Sequence, residues 1–100
     1  MPGMLEAGSG TVLFTTGGGA ITPYPVLADA NIAQAGQRNW ALNLHNTLAE
    51  QGIYVANVAI DLMIGAQAPE GVPHRAPDDI ALDYWNLHTS RDRAEHFIGA

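Results

Sequence analysis

Three consecutive glycines, Gly17 to Gly19, follow a short β-branched and aromatic segment that ends in Thr15 and Thr16. Glycines at the end of a strand can bind a nucleotide phosphate through their backbone N–H groups. A dinucleotide-binding fingerprint has glycine at its first, third and sixth positions, but the sixth position counted from Gly17 is Thr22. A Walker loop needs a lysine, and the chain contains none. We therefore expect a loop whose backbone approaches another group closely, rather than a phosphate site.

The other residues that could do chemistry form no familiar catalytic or metal-binding pattern. The four histidines lack the spacing of metal ligands, so no metal site is expected. His88, Ser90, Asp92 and His96 are close in sequence, but a hydrolytic triad would need a tertiary arrangement that this spacing does not indicate. Asp61 follows a buried apolar segment, and ligands of open α/β sheets bind at the carboxyl ends of strands. Asp61 is therefore either a ligand-binding carboxylate or a loop cap.

The composition limits the partners and the cellular location. The formal net charge of −6 disfavours nucleic acid and anionic membranes, which attract basic surfaces. The absence of cysteine excludes disulfides and thiol catalysis. The sequence shows neither a signal-peptide pattern nor an apolar segment long enough to span a membrane, so we expect a cytoplasmic protein.

Strand and helix patterns alternate along the chain and must position these residues. Strands are predicted over about 11–15, 53–60 and 94–98, and helices over about 28–50 and 77–89. The segment IYVANVAI is almost entirely apolar, which is typical of a parallel strand buried on both faces. This order predicts a single α/β domain over 1–100, with a three-stranded parallel sheet and two main helices.

The usual right-handed crossover has a consequence for the faces of this sheet. If both crossovers step in the same direction, both helices lie on the same face. The other face then has no helix from this chain, although the middle strand needs burial on both sides. We therefore expect a second copy or a partner chain to cover the open face.

Three segments, MLEAGSGTVLFTTGGGA, AQAGQRNWALNLHNTLAEQGIYVANVAI and APDDIALDYWNLHTSRD, resemble the C-terminal half of a short-chain dehydrogenase/reductase. The resemblance covers nearly the whole chain in the family's order. It implies a partial, doubly wound Rossmann fold whose dinucleotide fingerprint would lie in the half that these segments do not cover. It also implies NAD or NADP as the cofactor of a completed fold, whereas the isolated chain is expected to bind none.

Members of this family use a serine after the fifth strand and a Tyr-x-x-x-Lys pair in the next helix. By this resemblance Gly17, or Thr16 beside it, stands at the serine position, Ala30 at the tyrosine position and Gln34 at the lysine position. A tyrosine with a pKa near 10 needs a neighbouring cation to act at neutral pH. The resemblance offers only weak candidates for cofactor contacts, which are Thr15, Asp61 and Ile64.

These substitutions predict a truncated, degenerate homologue that lacks hydride transfer as an isolated chain. It would act, if at all, through self-association or a partner, using helix 28–50 and the open sheet face. Three matters stay open: whether it is an enzyme, whether it is half of an NAD(P)-dependent oxidoreductase that uses Thr15, Thr16 or Tyr24 for proton transfer, and whether it is a gene fragment without a selected function.

Overall fold

A computed structural model describes residues 2–22 and 25–99 of the chain. Three α-helices are found there, α1 (Pro2–Ala7), α2 (Ala28–Leu48) and α3 (Pro77–Ser90). The strands of the same residues are β1 (Gly10–Gly17), β2 (Ile53–Ile60), β3 (Met63–Ile64), β4 (His74–Arg75) and β5 (Glu95–Ile98). None of the described helices has both the length and the apolar character needed to cross a membrane.

The main sheet has three parallel strands in the order β1-β2-β5. β1 pairs with β2 along its whole length, from Gly10 opposite Ile53 to Gly17 opposite Ile60. β5 pairs only with the second half of β2, beginning with Glu95 opposite Asn57. The central strand β2 is buried from its first residue to its seventh. The predicted α/β class and three-stranded parallel sheet are therefore confirmed.

The two long helices lie on opposite faces of this sheet, so the prediction that both cover one face is wrong. Alternate residues of a strand face opposite sides, and Val55 packs with Leu48 of α2, whereas Val58 packs with Ile80 and Leu87 of α3. Both crossovers step in the same direction across the sheet but place their helices on opposite faces. The two crossovers therefore have opposite hands, and one of them is the rare left-handed form. Local sequence patterns do not encode this hand.

The expected helix-free face of the sheet therefore does not exist. Each face of β2 is covered by a helix of the same chain, and the burial that its apolar residues require is supplied internally. Within the described residues, the sheet has two outer edges without a neighbouring strand, one on β1 and one on β5.

The boundaries of the long helices follow local signals. α2 passes into a 3₁₀ turn that ends at Gly52, whose φ of 78° is in the left-handed region that favours glycine. A Cβ at Gly52 would also lie 2.1 Å from the carbonyl oxygen of Gly8, so this turn packs against the turn before β1. α3 begins with Pro77 at its first turn and is capped at its carboxyl end by Arg91, which has a φ of 51°.

Two features differ from the sequence-based elements. β1 extends to Gly17 rather than ending near 15, so the first glycine belongs to the strand. No strand was predicted between β2 and α3, but β3 and β4 pair there as a two-residue parallel ladder. A helix as short as α1 and strands as short as these give no periodic pattern to detect.

Candidate functional site

The glycine run lies where β1 ends, between α2 and the residue that follows β2. The Gly17 N–H donates a hydrogen bond to Gln34 Oε1 at 2.6 Å. A Cβ on Gly18 would lie 2.4 Å from Cγ of Asp61, and one on Gly19 would lie 2.0 Å from Oδ1 of Asn31. These distances are far below van der Waals contact, so side chains of the same chain are the groups that the glycines allow to approach.

A cavity of about 380 Å³ opens beside this loop. Its described lining consists of Gly17, Gly18, Gly19, Leu27, Ala30, Asn31, Gln34, Asp61 and Leu62. Asp61 is the one ionisable side chain in that lining, and Ala30 contributes only a methyl group. A carboxylate without a neighbouring acid or cation can accept hydrogen bonds, but it cannot form a proton relay with the other described groups.

A second, more apolar cavity of about 350 Å³ adjoins the first and shares Gly19 and Asn31 with it. Its lining also includes Ile21, Ile32 and Ala35. The two cavities together give the carboxyl edge of the sheet a recess with amide groups at its centre and aliphatic groups to one side. Such a recess can hold a small molecule by shape and hydrogen bonding.

The hydroxyls of the two threonines before the glycines are hydrogen-bonded to groups outside the described lining of this recess. Thr15 Oγ1 lies 2.6 Å from the Tyr84 hydroxyl of α3. Thr16 is only 3% exposed, and its Oγ1 accepts a hydrogen bond from Asn57 Nδ2 at 3.0 Å. Neither hydroxyl belongs to the cavity lining that the structure describes.

Asn57 connects Thr16 to an ion pair at the start of β5. Its Nδ2 also donates to Glu95 Oε2 at 3.1 Å, and Arg38 of α2 donates from Nε and Nη2 to the two oxygens of Glu95 at 2.6 and 2.9 Å. The Arg38 hydrogen bonds hold the pKa of Glu95 below its ordinary value; burial acts against this, and the Asn57 N–H adds to it. This network links α2, β1, β2 and β5 beneath the recess.

The structure brings some sequence-predicted site residues together and separates others. Gly17, Ala30, Gln34 and Asp61 meet at the first cavity. Ile64 lies in β3, half exposed, outside the described lining. Tyr24 lies outside the described residues.

Of the residues that were weighed as a hydrolytic triad, Asp92 and His96 share Arg93 as a partner, whereas His88 contacts a different residue. His88 Nδ1 lies 2.7 Å from Thr11 Oγ1 on β1, whereas His96 Nδ1 lies 3.3 Å from Arg93 Nη1. Asp92 pairs with Arg93 at 3.1 Å. Across residues 2–22 and 25–99, no three His, Asp or Glu side chains are grouped as metal ligands.

Sequence reasoning missed Asn31, Arg38, Asn57 and Glu95. Only Asn57 carried a signal, because a single amide inside an apolar strand must find hydrogen-bond partners when it is buried. The others become recognisable only when α2 is placed on the sheet.

No protein-family model matches the chain, and no curated protein matches it. Solved structures do match. The crystal structure of a short-chain dehydrogenase from Rhodopseudomonas palustris superimposes with a TM-score of 0.77 and 25% identity, over 97% of this chain and 41% of the other. The bulky-bulky ketone specific alcohol dehydrogenase from Comamonas testosteroni gives a TM-score of 0.74 and 14% identity, over 96% of this chain and 37% of the other.

The fold is that of a partial short-chain dehydrogenase/reductase. The chain spans about two fifths of the length of the two solved structures that it matches. The predicted partial Rossmann architecture is confirmed by both superpositions, and the more distant one shows the fold alone. The recess of this chain lies at the carboxyl ends of the parallel strands β1 and β2, which is where open α/β sheets bind their ligands.

Proposed function

We propose that this chain is a truncated, degenerate short-chain dehydrogenase/reductase homologue without hydride-transfer activity of its own. The observation that supports this most directly is the environment of Gln34, which stands at the lysine position of the resemblance. Its Oε1 is occupied by the Gly17 N–H at 2.6 Å. A neutral amide held on the backbone supplies no positive charge to lower the pKa of a neighbouring acid.

The surroundings of Gln34 support the same proposal. Ala30, at the tyrosine position of the resemblance, offers no acid, and no lysine occurs anywhere in the chain. The Thr16 hydroxyl is buried on Asn57 and is unavailable to a ligand in the recess. Among the described residues, the positions given by the resemblance therefore supply the recess with neither a proton donor nor the cation that would activate it.

If the chain has a role, it acts through self-association or a covering partner that uses α2. Ile32 is 74% exposed and Trp40 is 59% exposed, and both belong to that helix. Large exposed apolar side chains favour association, although single ones are common on monomers. A cytoplasmic location and the absence of nucleic-acid or membrane partners remain predictions from charge and composition.

A second candidate is half of an NAD(P)-dependent oxidoreductase with a non-standard active site. Two observations favour it. The chain corresponds to about two fifths of each matched structure, and the recess with Asp61 lies at the edge where a completed fold would place its ligand. NAD or NADP would then enter with the part that supplies a dinucleotide fingerprint.

Calorimetric titration of the purified chain with NADH and with NADPH separates the two candidates. The degenerate homologue should show no saturable binding below the millimolar range. The R. palustris dehydrogenase, titrated in parallel, controls for the quality of the nucleotides. Saturable binding in the micromolar range would contradict the first candidate and favour the second.

A further inference from the structure

The outer edge of β1 lacks the residue types that commonly protect an exposed strand edge from pairing with another strand. Its sequence, GTVLFTTG, contains no charged residue and no proline, which are the common devices against unwanted pairing. Among the described residues, β2 is the only strand that pairs with β1, so the backbone groups that point away from β2 have no strand to bind. These groups need another partner or water.

Two glutamines of α2 reach the carboxyl-terminal end of this edge. Gln34 Oε1 accepts the Gly17 N–H at 2.6 Å, and Gln37 Nε2 donates to the Thr15 carbonyl oxygen at 3.0 Å. Alternate residues of a strand direct their backbone groups to the same edge, so this N–H and this C=O belong to one side of β1. A neighbouring strand would bind the same two kinds of group.

The chemistry of the two amides fits this arrangement. Each primary amide has an acceptor oxygen and a donor nitrogen, and here one glutamine presents its oxygen to an N–H while the other presents its nitrogen to a C=O. Gln34 and Gln37 are three residues apart and therefore lie on the same side of α2. A Cβ at position 17 would lie 2.9 Å from Gln34 Oε1, so the close contact also needs the glycine.

We propose that Gln34 and Gln37 form a latch that closes the carboxyl-terminal end of the β1 edge in place of a neighbouring strand. The latch gives the residue at the degenerate lysine position a structural use. It also fixes the glycine loop beside the recess. A strand that pairs along the whole of β1 must first displace both glutamines. The backbone groups of Thr11 and Leu13 point to the same edge, and the latch leaves them open to pairing. This inference rests on the contacts of the chain itself and not on the proposed function.

Reciprocal charge variants test the latch, because the two glutamines have opposite hydrogen-bonding roles. Gln34→Glu keeps an acceptor and Gln34→Lys removes it, whereas Gln37→Lys keeps a donor and Gln37→Glu removes it. We expect the Gly17 amide to exchange with solvent about tenfold faster in Gln34→Lys and within about twofold of the parent in Gln34→Glu. The carbonyl ¹³C shift of Thr15 should change in Gln37→Glu and stay near its parent value in Gln37→Lys.

This crossed pattern distinguishes the latch from a general effect of charge. The latch would be wrong if both lysine variants, or both glutamate variants, changed the signal at their own contact, which is Gly17 exchange for Gln34 and the Thr15 carbonyl shift for Gln37. Net charge would then explain the result. Unchanged Gly17 exchange in Gln34→Lys would also overturn it. If Gln34→Lys does not fold, Gln34→Met removes the acceptor without adding charge and should give the same faster exchange. Nucleotide titration of the same variants reports separately on the proposed function.

Discussion

Arg38 of α2 and Glu95 of β5 form a two-pronged ion pair, with Nε–Oε2 and Nη2–Oε1 distances of 2.6 and 2.9 Å. The pair ties the helix of the first crossover to the last strand of the sheet. Its surroundings are partly buried, since the side chain of Glu95 is 22% exposed. A paired carboxylate in such a place makes stability depend on pH.

The pKa of Glu95 is lowered in the folded chain, chiefly by the Arg38 hydrogen bonds. A carboxyl whose folded pKa lies below its unfolded pKa stabilises the fold above the unfolded value, and this stabilisation is lost as the pH falls through the folded value. We expect the free energy of unfolding to decrease below about pH 4.5, the ordinary value for this group. Urea titrations of the parent and Glu95→Gln at several pH values should show a weaker acid dependence in the variant.

At neutral pH, Glu95→Gln should lower the free energy of unfolding by about 1.5 kcal/mol, because it weakens charge-assisted hydrogen bonds. Asp92→Asn is the matched control, since Asp92 pairs with Arg93 at the surface and its side chain is 52% exposed. Surface ion pairs contribute little, so the control should unfold like the parent. A control that is destabilised as strongly as Glu95→Gln would contradict this account.

Replacing Asn57 with alanine should destabilise the chain by about 2–3 kcal/mol, because it leaves a cavity in the central strand and removes hydrogen bonds from Thr16 and Glu95. Asn43→Ala, on the exposed side of α2, should cost less than about 0.5 kcal/mol. Thermal and urea unfolding of both variants would check this. Equal effects would mean that the buried network adds nothing to stability.

Alanine substitutions of two glycines should change the free energy of unfolding in opposite directions. Gly18→Ala places a Cβ 2.4 Å from Asp61 Cγ and should destabilise the loop, whereas a Cβ at Gly36 of α2 meets nothing within 4 Å. Gly36→Ala should therefore raise the free energy of unfolding by about 0.5–1 kcal/mol through higher helix propensity. Melting temperatures give the test, and a stabilised Gly18→Ala would show that the loop is wider than its distances indicate.

Self-association through α2 predicts a local effect of charge. Ile32→Glu should weaken any self-association at least about tenfold, because association would then bury a charged side chain in an apolar interface. Leu82→Glu, at a comparably exposed site on α3, should leave the association unchanged. Sedimentation equilibrium over a range of concentrations would measure both. If only Leu82→Glu weakened self-association, the interface would be on α3 and not on α2.

The sequence predicted those parts of the fold that local patterns encode. The apolar segment of β2 indicated a strand buried on both faces, and Pro77 with the acidic residues after it indicated the start of α3. The placement of α3 on the opposite face was missed, because the hand of a crossover depends on how distant elements pack. The glycine run indicated a close approach, but only the tertiary structure identifies Gln34, Asn31 and Asp61 as the groups that approach.

The change of face between β2 and α3 has a consequence for synthesis on the ribosome. The unit formed by β1, α2 and β2 precedes α3 and β5 in the chain, and its own contacts bury the side of β2 that carries Val55. The other side, with Tyr54 and Val58, stays exposed until α3 arrives. A nascent chain with a bare apolar sheet is a substrate for chaperones and for aggregation. Burial of this side of β2 therefore depends on the residues of α3 and β5, which come last among the described elements.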